Sequence, residues 1–466
     1  MKGERKKSLS AGIVINLVAT FLIRAISIVT APITTRLLET SDYGSMSVFT
    51  TWVEIMAIVL GMQTFGTLTN AHVKYETKDE FFRYSWNTFL LSFLGHLAGL
   101  AIILPFIGTV SGWLHLTPFL ILLMIAQSFL QNTINILSGY FIIENKAGYN
   151  MILSGILSVG SFGLSVLLVK VGAFPETPYM AFIIGHFIIT VLCGAGVVVW
   201  LYRKGVCKIR KDYVTYCLGL SLPLIFHALS GIVLGQSDRL MLERMVDLSE
   251  AGVYSLTYNF SNILLTIWGA VNAIWVPFYF RYLKAGDNDE LKHHVKNFDI
   301  LFLVLFSGFL LLSPEVFRIM DERYWYQMDI MPVLIAGFFF NHLYGYPANY
   351  EFYKEKTTYL AAASIGTAIL NIGLNLLLIP RWYAMGAAVA TSLSFVISYL
   401  FHAVAARCFV KGYPLSLSGD LLRLIPAGAA TGLFYLAKDL PAVRWGAGIA
   451  IGILYIVRMI RRKEIL

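Results

Sequence analysis

Charge is what this sequence has least of. Only 14% of its 466 residues are Asp, Glu, Lys or Arg, against about 25% in soluble domains. Hydrophobic residues make up 57% and the mean hydropathy is +0.69. A soluble core cannot absorb that much apolar surface, so the chain reads as an integral membrane protein. Cysteine is scarce too. Cys193, Cys207, Cys217 and Cys408 are scattered, with no CxxC pair and no Cys/His ligand spacing, so neither a disulfide framework nor a metal site follows from them. The basic start "MKGERKKSLSAGIV" has no small-residue cleavage site after it, and the apolar run continues far past the ~7–15 residues of a signal core. It is read as a retained first span.

Large loops are missing as well. The longest polar connection, "RYLKAGDNDELKHHVKNFD" at 281–299, is too short for a domain. There is no GxxxxGK[ST] phosphate loop and no dinucleotide fingerprint in strand–helix context, so the chain carries no ATPase of its own and no cofactor is expected. His293 and His294 are adjacent, and neighbours on a helix point apart; they are read as loop histidines. No outward loop is long enough for a catalytic domain, which counts against a membrane glycosyltransferase, polymerase or ligase. The expectation is a protein that is not an enzyme.

What remains is apolar helix. A bilayer core needs about 20 helical residues, and fourteen such segments centre near residues 23, 54, 97, 128, 160, 190, 225, 265, 307, 338, 368, 396, 429 and 450. Lys and Arg in alternate loops number 25 on the side of the N-terminus and 9 on the other. By the positive-inside rule both termini are expected in the cytoplasm, in a multi-pass protein of the cell membrane. This basic inner rim accounts for the net charge of +9, so no nucleic-acid partner is expected.

The chain also repeats weakly. "ETSDYGSMS" at 39–47 aligns with "DLSEAGVYS" at 247–255, and "YFIIENKAGY" at 140–149 with "YEFYKEKTTY" at 350–359. Six spans per repeat is an even number, so the halves are expected to run the same way through the membrane, a plan several transporters share with a site between the halves. The expected fold is therefore all-α, with about fourteen transmembrane helices. Two parallel six-helix lobes (1–208 and 209–415) are followed by a two-helix segment (416–466).

Several spans carry polar stripes. Arg24 lies inside "INLVATFLIRAISIVTAPITT" at 15–35, where a guanidinium is costly and stays charged. Asn16, Thr20, Ser27, Thr34 and Thr35 share with it an arc of about 100°. Ser47, Thr50, Thr51 and Glu54 form a second stripe. Tyr254, Ser255, Tyr258, Ser261, Asn262 and Asn272 form a third, and Ser364, Thr367, Asn371 and Asn375 a fourth. Ser, Thr and Asn in spans can bond helix to helix or line a cavity; ionisable groups in spans face a bundle interior or a wet cavity. An Arg24–Glu54 structural pair is the alternative for those two. Asp238 and Arg239 follow "GQS" near the outer end of the seventh span, as a surface ion pair or as functional groups.

Four stretches carry a family resemblance: Arg24 with "APITTRLLETSDYG" at 31–44, "QSDRLMLERMVDLSEAGVYSLTYNFS" at 236–261, "IWVPFYF" at 274–280, and "NIGLNLLLIPRWYAMGAAVATSLS" at 371–394. With the span plan, the chain resembles the polysaccharide repeat-unit (O-antigen-type) flippases of the multidrug/oligosaccharidyl-lipid/polysaccharide exporter superfamily. The loop "HVKYETKDEFF" at 72–82 lacks the signature of major-facilitator transporters. The resemblance implies two lobes around a cavity open to alternate sides. It implies a polyprenyl-pyrophosphate-linked oligosaccharide as cargo for capsule, exopolysaccharide or O-antigen synthesis, with membrane lipids, a polysaccharide polymerase and glycosyltransferases as partners. In the similar lipid II flippases an arginine of the first span meets the pyrophosphate, and Arg24 occupies the matching place. The run of several cavity arginines in those proteins is absent here. Two further spans are compatible with the family and would line a groove for the lipid tail.

The candidate substrate-binding residues are Arg24, Glu54, Asp238, Arg239, Asn262, Asn272, Asn371 and Asn375, with Glu54 and Asp238 as candidate coupling carboxylates. The rival reading is a multidrug or small-solute antiporter of the same fold, which would more often line its cavity with acids and aromatics. The topology is testable directly. Cysteines placed near positions 76, 207 and 290 are expected to react with an impermeant maleimide only from the cytoplasmic side, and those near 114 and 325 only from outside. Outside labelling at 207, amid Arg203, Lys204, Lys208, Arg210 and Lys211, would contradict the fourteen-span arrangement.

Overall fold

The computed structural model describes residues 26, 28–75, 77–144, 146–204 and 209–462. Within them the regular structure is helical, with no strand. An apolar solvent offers the backbone no hydrogen-bond partner, so each segment must satisfy its own amides and carbonyls, as a helix does. Apolar residues accordingly face outward all along the helices: Phe226, Ile369 and Ile460 are each 67% exposed. Many serine, threonine, asparagine and histidine side chains are turned inward, among them Thr51, His96, Ser128 and Asn132.

The chain divides into two compact units, Met1–Leu240 and Met241–Leu466. The first holds α1 (28–37), α2 (Thr40–Val59), α3 (Leu68–Lys74), α4 (Lys78–Ile103), α5 (Ile107–Leu114), α6 (Pro118–Ile143), α7 (Ala147–Gly155), α8 (Ser161–Lys170), α9 (Pro178–Lys204) and most of α10 (Lys211–Met245). A π-helical stretch, Ile156–Gly160, joins α7 to α8. The second unit holds α11 (Leu248–Ser261), α12 (Ile263–Ala285), α13 (Asn288–Phe317), α14 (Ile330–Tyr353), α15 (Thr357–Val404), α16 (Leu417–Leu436) and α17 (Pro441–Arg462).

The internal repeat is visible in where helices begin. The starts of α2 and α11 (Thr40, Leu248) are 208 residues apart; those of α4 and α13 (Lys78, Asn288) and of α7 and α15 (Ala147, Thr357) are 210 apart. The caps correspond. The Thr77 hydroxyl accepts from the Glu80 amide, and the Asp287 carboxylate from the Glu290 amide. Lys146 and Lys356 enter their helices at φ −92, ψ 52 and φ −92, ψ 50. Each unit also contains a bent helical pair, of 54° in 40–74 and of 47° in 248–285.

The first bend depends on a side chain. At 60–63 the helical ladder stops, with Met62 and Gln63 at φ 51 and φ 49. The Asn132 amide of α6 donates to the Ala57 carbonyl at 2.7 Å, replacing a bond the helix no longer makes. Gly61 gives it room, since a Cβ there would stand 1.8 Å from Asn132 Nδ2.

Among the described residues, eight helices are long and apolar enough to cross a membrane, or ten with each bent pair taken as one span. Fourteen spans were expected. Two that were expected, α14 and α16, fall outside this set because Asn341, His342 and several tyrosines dilute the first, and Asp420 and Arg423 the second. Another two, near 368 and 396, are merged into the 48-residue α15. That helix breaks at Tyr383, with φ 50 and ψ −130. Asn371 donates to Thr391 at 3.5 Å and to Ser394 at 3.4 Å. Twenty residues of straight helix would separate Asn371 and Thr391 by about 30 Å, so α15 is a hairpin of two arms.

The expected polar loop at 281–299 is mostly helix. α12 runs to Ala285 and α13 starts at Asn288, because Asp287 caps α13 and Asp289 and Glu290 occupy its first turn. His293 and His294, read as loop histidines, sit on α13, where His294 meets Glu290 at 3.2 Å.

The hairpin yields a stability prediction. A Cβ on Gly386 would stand 2.3 Å from the Leu378 carbonyl oxygen, whereas one on Gly366 meets nothing within 4 Å. Gly386→Val is expected to cost about 1–3 kcal/mol through overpacking, lowering the melting temperature of the detergent-purified protein. Gly366→Ala should leave that temperature nearly unchanged. Equal melting of the two variants would contradict the close turn.

Candidate functional site

In the first unit Gln236 of α10 gathers the polar groups of α2. Its amide donates to the Glu54 carboxylate. Its carbonyl oxygen accepts from the Thr51 hydroxyl at 3.2 Å and from Arg239 Nη1 at 3.4 Å. Thr51 and Glu54 stand three residues apart on α2, as Gln236 and Arg239 do on α10, so each pair shares a helix face. The arrangement joins a carboxylate and a guanidinium through one amide. Arg24 lies outside the described residues. Asp238 and Arg239 are 1% and 7% exposed, so they do not form a surface ion pair.

The other candidates separate in the second unit. Asn371 and Asn375 are fully buried; the Asn375 amide donates to Asn371 at 3.2 Å. Together with the Asn371 bonds to Thr391 and Ser394, this holds the arms of α15 together, the helix-to-helix use of such residues. In the third stripe, Ser255 and Ser261 are fully buried and bond the carbonyls of Ala251 and Thr257. Asn262 is half-buried at the α11–α12 junction, where its carbonyl accepts from Thr266. Asn272 lines a cavity of about 210 Å³ with Trp268, Gly269, Asn341, His342 and Tyr344.

Behind that cavity is an ion network that only packing reveals. Asp299 of α13 accepts from His342 Nε2 at 2.9 Å and from the Tyr346 hydroxyl at 2.7 Å. Arg423 of α16 pairs with Asp299 at 2.5 Å and also with Asp420. Asp420 is held in addition by Arg407 at 2.8 Å and by the Tyr399 hydroxyl at 2.9 Å. Two arginines balance two aspartates, so the buried charge is compensated before His342 is counted. Arg444 of α17, 1% exposed, similarly pairs with Glu315 of α13 and donates to the Leu311 carbonyl at 3.0 Å. Glu351 and His402 form another buried pair at 2.9 Å. A second cavity, of about 270 Å³, is walled mainly by apolar residues including Val333, Phe340, Leu393 and Val396.

Sequence reasoning missed Asp299, taken for loop, and Asn341 and His342. Their signal was available: "FFFNHLYGYP" at 338–347 places several polar groups in the middle of an apolar span.

Residues 9–283 match the family described as "Polysaccharide biosynthesis protein". The match takes in more than half of the chain. The chain belongs to this family. Among relatives of this polysaccharide biosynthesis protein, the "Probable low-salt glycan biosynthesis flippase Agl15" of Haloferax volcanii is 22% identical over 298 residues, 63% of this chain and 61% of that one. "Lsg locus putative protein 1" of Haemophilus influenzae is 23% identical over 282 residues, 58% of this chain and 66% of that one. The chain thus spans less than two thirds of the length of either relative. Among solved structures, a multidrug resistance MATE family transporter of the MOP superfamily in an inward-facing conformation matches with a TM-score of 0.63 at 11% identity, covering 84% of this chain and 98% of that one. An outward-facing structure of a MATE family transporter of the same superfamily matches with a TM-score of 0.56 at 12% identity, covering 86% and 94%. The fold is that of MATE-type transporters, and this family member is a multi-pass membrane protein.

The Gln236 bridge can be tested. Gln236→Leu removes the amide from a half-buried carboxylate, which costs about 1–3 kcal/mol, and should lower the melting temperature of the purified protein. Glu54→Gln keeps an amide partner and should cost less. Joining Glu54→Leu to Gln236→Leu should recover part of the loss, since removing both partners leaves nothing unpaired. A double variant less stable than Gln236→Leu alone would contradict the bridge.

Proposed function

We propose that this polysaccharide biosynthesis protein is a flippase that moves a polyprenyl-pyrophosphate-linked oligosaccharide from the inner to the outer leaflet of the cell membrane. In this reading, fourteen spans form lobes 1–208 and 209–415 with an added segment 416–466, and both termini are cytoplasmic. The product feeds a polysaccharide polymerase, and glycosyltransferases supply the substrate. The observation that carries the reading is the neutral polar wall of the 210 Å³ cavity. Asparagine, tyrosine and histidine line it, while Asp299 and Asp420 behind it are committed to arginines. Sugars present hydroxyls, which such groups recognise; a cationic drug would call for an uncommitted acid. The MATE-type fold also serves multidrug transporters, and an antiporter of cations or small solutes is the second reading.

Arg24 supplies the phosphate contact in this proposal. Its planar fork stays charged and donates two hydrogen bonds to phosphate oxygens. The mostly apolar second cavity, to which Thr431 and Tyr435 of the added segment contribute, suits a prenyl chain. Glu54 remains the coupling candidate of the first unit.

The test is surface polysaccharide per unit of membrane-resident protein. Arg24→Lys should keep part of the export and Arg24→Ala should lose most of it. A structural Arg24–Glu54 pair predicts lower abundance in Arg24→Ala, restored by adding Glu54→Gln. Rescue of both abundance and export by that double variant would overturn the phosphate role.

A further inference from the structure

The cavity of the second unit collects polar groups that the protein does not use. Among the described residues, the side chains of Asn272 and Asn341 and the Tyr344 hydroxyl make no hydrogen bond. His342 is 3% exposed, and its Nδ1 is buried without a partner. The amide nitrogens of Asn371 and Asn375, by contrast, donate to Thr391 and Asn371. Buried polar groups are normally hydrogen-bonded, so the buried, unpartnered His342 Nδ1, beside the half-buried side chains of Asn272, Asn341 and Tyr344, marks a place that a ligand completes.

The chemistry of the wall selects the ligand. With Nε2–H donated to Asp299, His342 presents a lone pair at Nδ1. Each asparagine offers two N–H donors and one carbonyl acceptor, and the tyrosine can do either. That mixture matches hydroxyl groups, which donate and accept. A pyrophosphate would need cations, and Arg423 and Arg407 are committed to Asp299 and Asp420. A prenyl chain would leave the amides unpaired. Size points the same way. About 210 Å³ is below the ~300–1,000 Å³ of sites for drug-sized ligands and about seven times the ~30 Å³ share of one water, room for one sugar ring with its hydroxyls. Cβ atoms added to Gly269 and Gly345 would meet nothing within 4 Å, so both leave open space at the cavity wall. Trp268 gives the cavity an aromatic wall, itself braced by Phe298 and Phe302 with centroids at 4.5 and 4.6 Å.

We infer that this cavity is a monosaccharide subsite, in which Asn272, Asn341, Tyr344 and His342 Nδ1 bind the hydroxyls of one neutral sugar of the cargo. The inference rests on the flippase reading. It adds that sugar and phosphate are recognised by different residues, the sugar by the second unit and the phosphate by Arg24. Asp299 is a positioning residue here: it holds the imidazole so that Nδ1 is the free acceptor.

The experiment uses the full chain in nanodiscs. The probes are bare undecaprenyl pyrophosphate and the same carrier bearing one glucose, galactose, N-acetylglucosamine or N-acetylgalactosamine, with affinities read by thermophoresis. At least one glycosylated carrier should bind about tenfold more tightly than the bare one. Asn341→Leu and Asn272→Leu should each abolish most of that advantage while leaving bare-carrier affinity at the wild-type value. Arg24→Ala should weaken bare and glycosylated carriers alike. Equal binding of all carriers by the wild type would overturn the subsite, as would an advantage that survives in both leucine variants. Loss of bare-carrier binding in both would overturn the separation of sugar from phosphate. If the wild type binds no carrier at all, the flippase reading fails, and the subsite with it.

Discussion

The constraint on which this structure depends is that hydrocarbon cannot accept or donate a hydrogen bond. The spanning helices are long for that reason, up to 48 residues in α15, and breaks such as those at 60–63 and Tyr383 must be compensated from within the protein. The break at 60–63 is met by Asn132, which donates to the Ala57 carbonyl. The break at Tyr383 folds α15 back on itself, and Asn371 ties the two arms to each other. The two asparagines act differently: Asn132 supplies a donor to a backbone carbonyl, whereas Asn371 bonds the side-chain hydroxyls of Thr391 and Ser394. Glycine recurs beside both breaks, at Gly61 and Gly386, where no side chain would fit.

The same constraint governs charge. An isolated ion at bilayer depth is costly, and in the second unit the described ions come in compensated sets. Asp299, Arg423, Asp420 and Arg407 form one, and Arg444 with Glu315 another. These sets join α16 and α17 to α13, so the last two helices are held by buried pairs whose rupture would strand a charge at about 3–5 kcal/mol. They also leave the nearby cavity neutral. Most polar residues in these spans therefore serve architecture; at the 210 Å³ cavity His342 and Tyr346 do so through Asp299, while Asn272, Asn341 and Tyr344 face it with no such bond.

The contrast between the two units bears on transport. The first unit joins Glu54 to Arg239 through Gln236, a set in which a proton or a phosphate would redistribute charge. The second offers neutral donors and acceptors to hydroxyls. Under the proposed flippase function, a cargo anionic at one end and a sugar at the other would meet these two unlike surfaces. Across the repeat, helix starts such as Thr40 and Leu248, or Ala147 and Thr357, keep their register while the polar side chains differ.

Composition already placed the chain in a membrane as helix, because solvation is a bulk property, and the repeat showed in aligned stretches such as 39–47 with 247–255. The family resemblance was equally legible, from the short stretches around 31–44, 236–261, 274–280 and 371–394. Which polar residues are structural and which are left for a ligand was not legible. Asn371 and Asn272 look alike on a helical wheel. Only packing buries the first between the arms of α15 and sets the second at the wall of a cavity. Asp299 looked like part of a loop because it ends the polar stretch 281–299, yet it is 4% exposed and anchors His342. Partnership between residues far apart in the chain, such as Asp299 with Arg423 or Glu54 with Gln236, has no local signal; it arises only when helices pack and each buried polar group either finds its complement or is left facing a cavity.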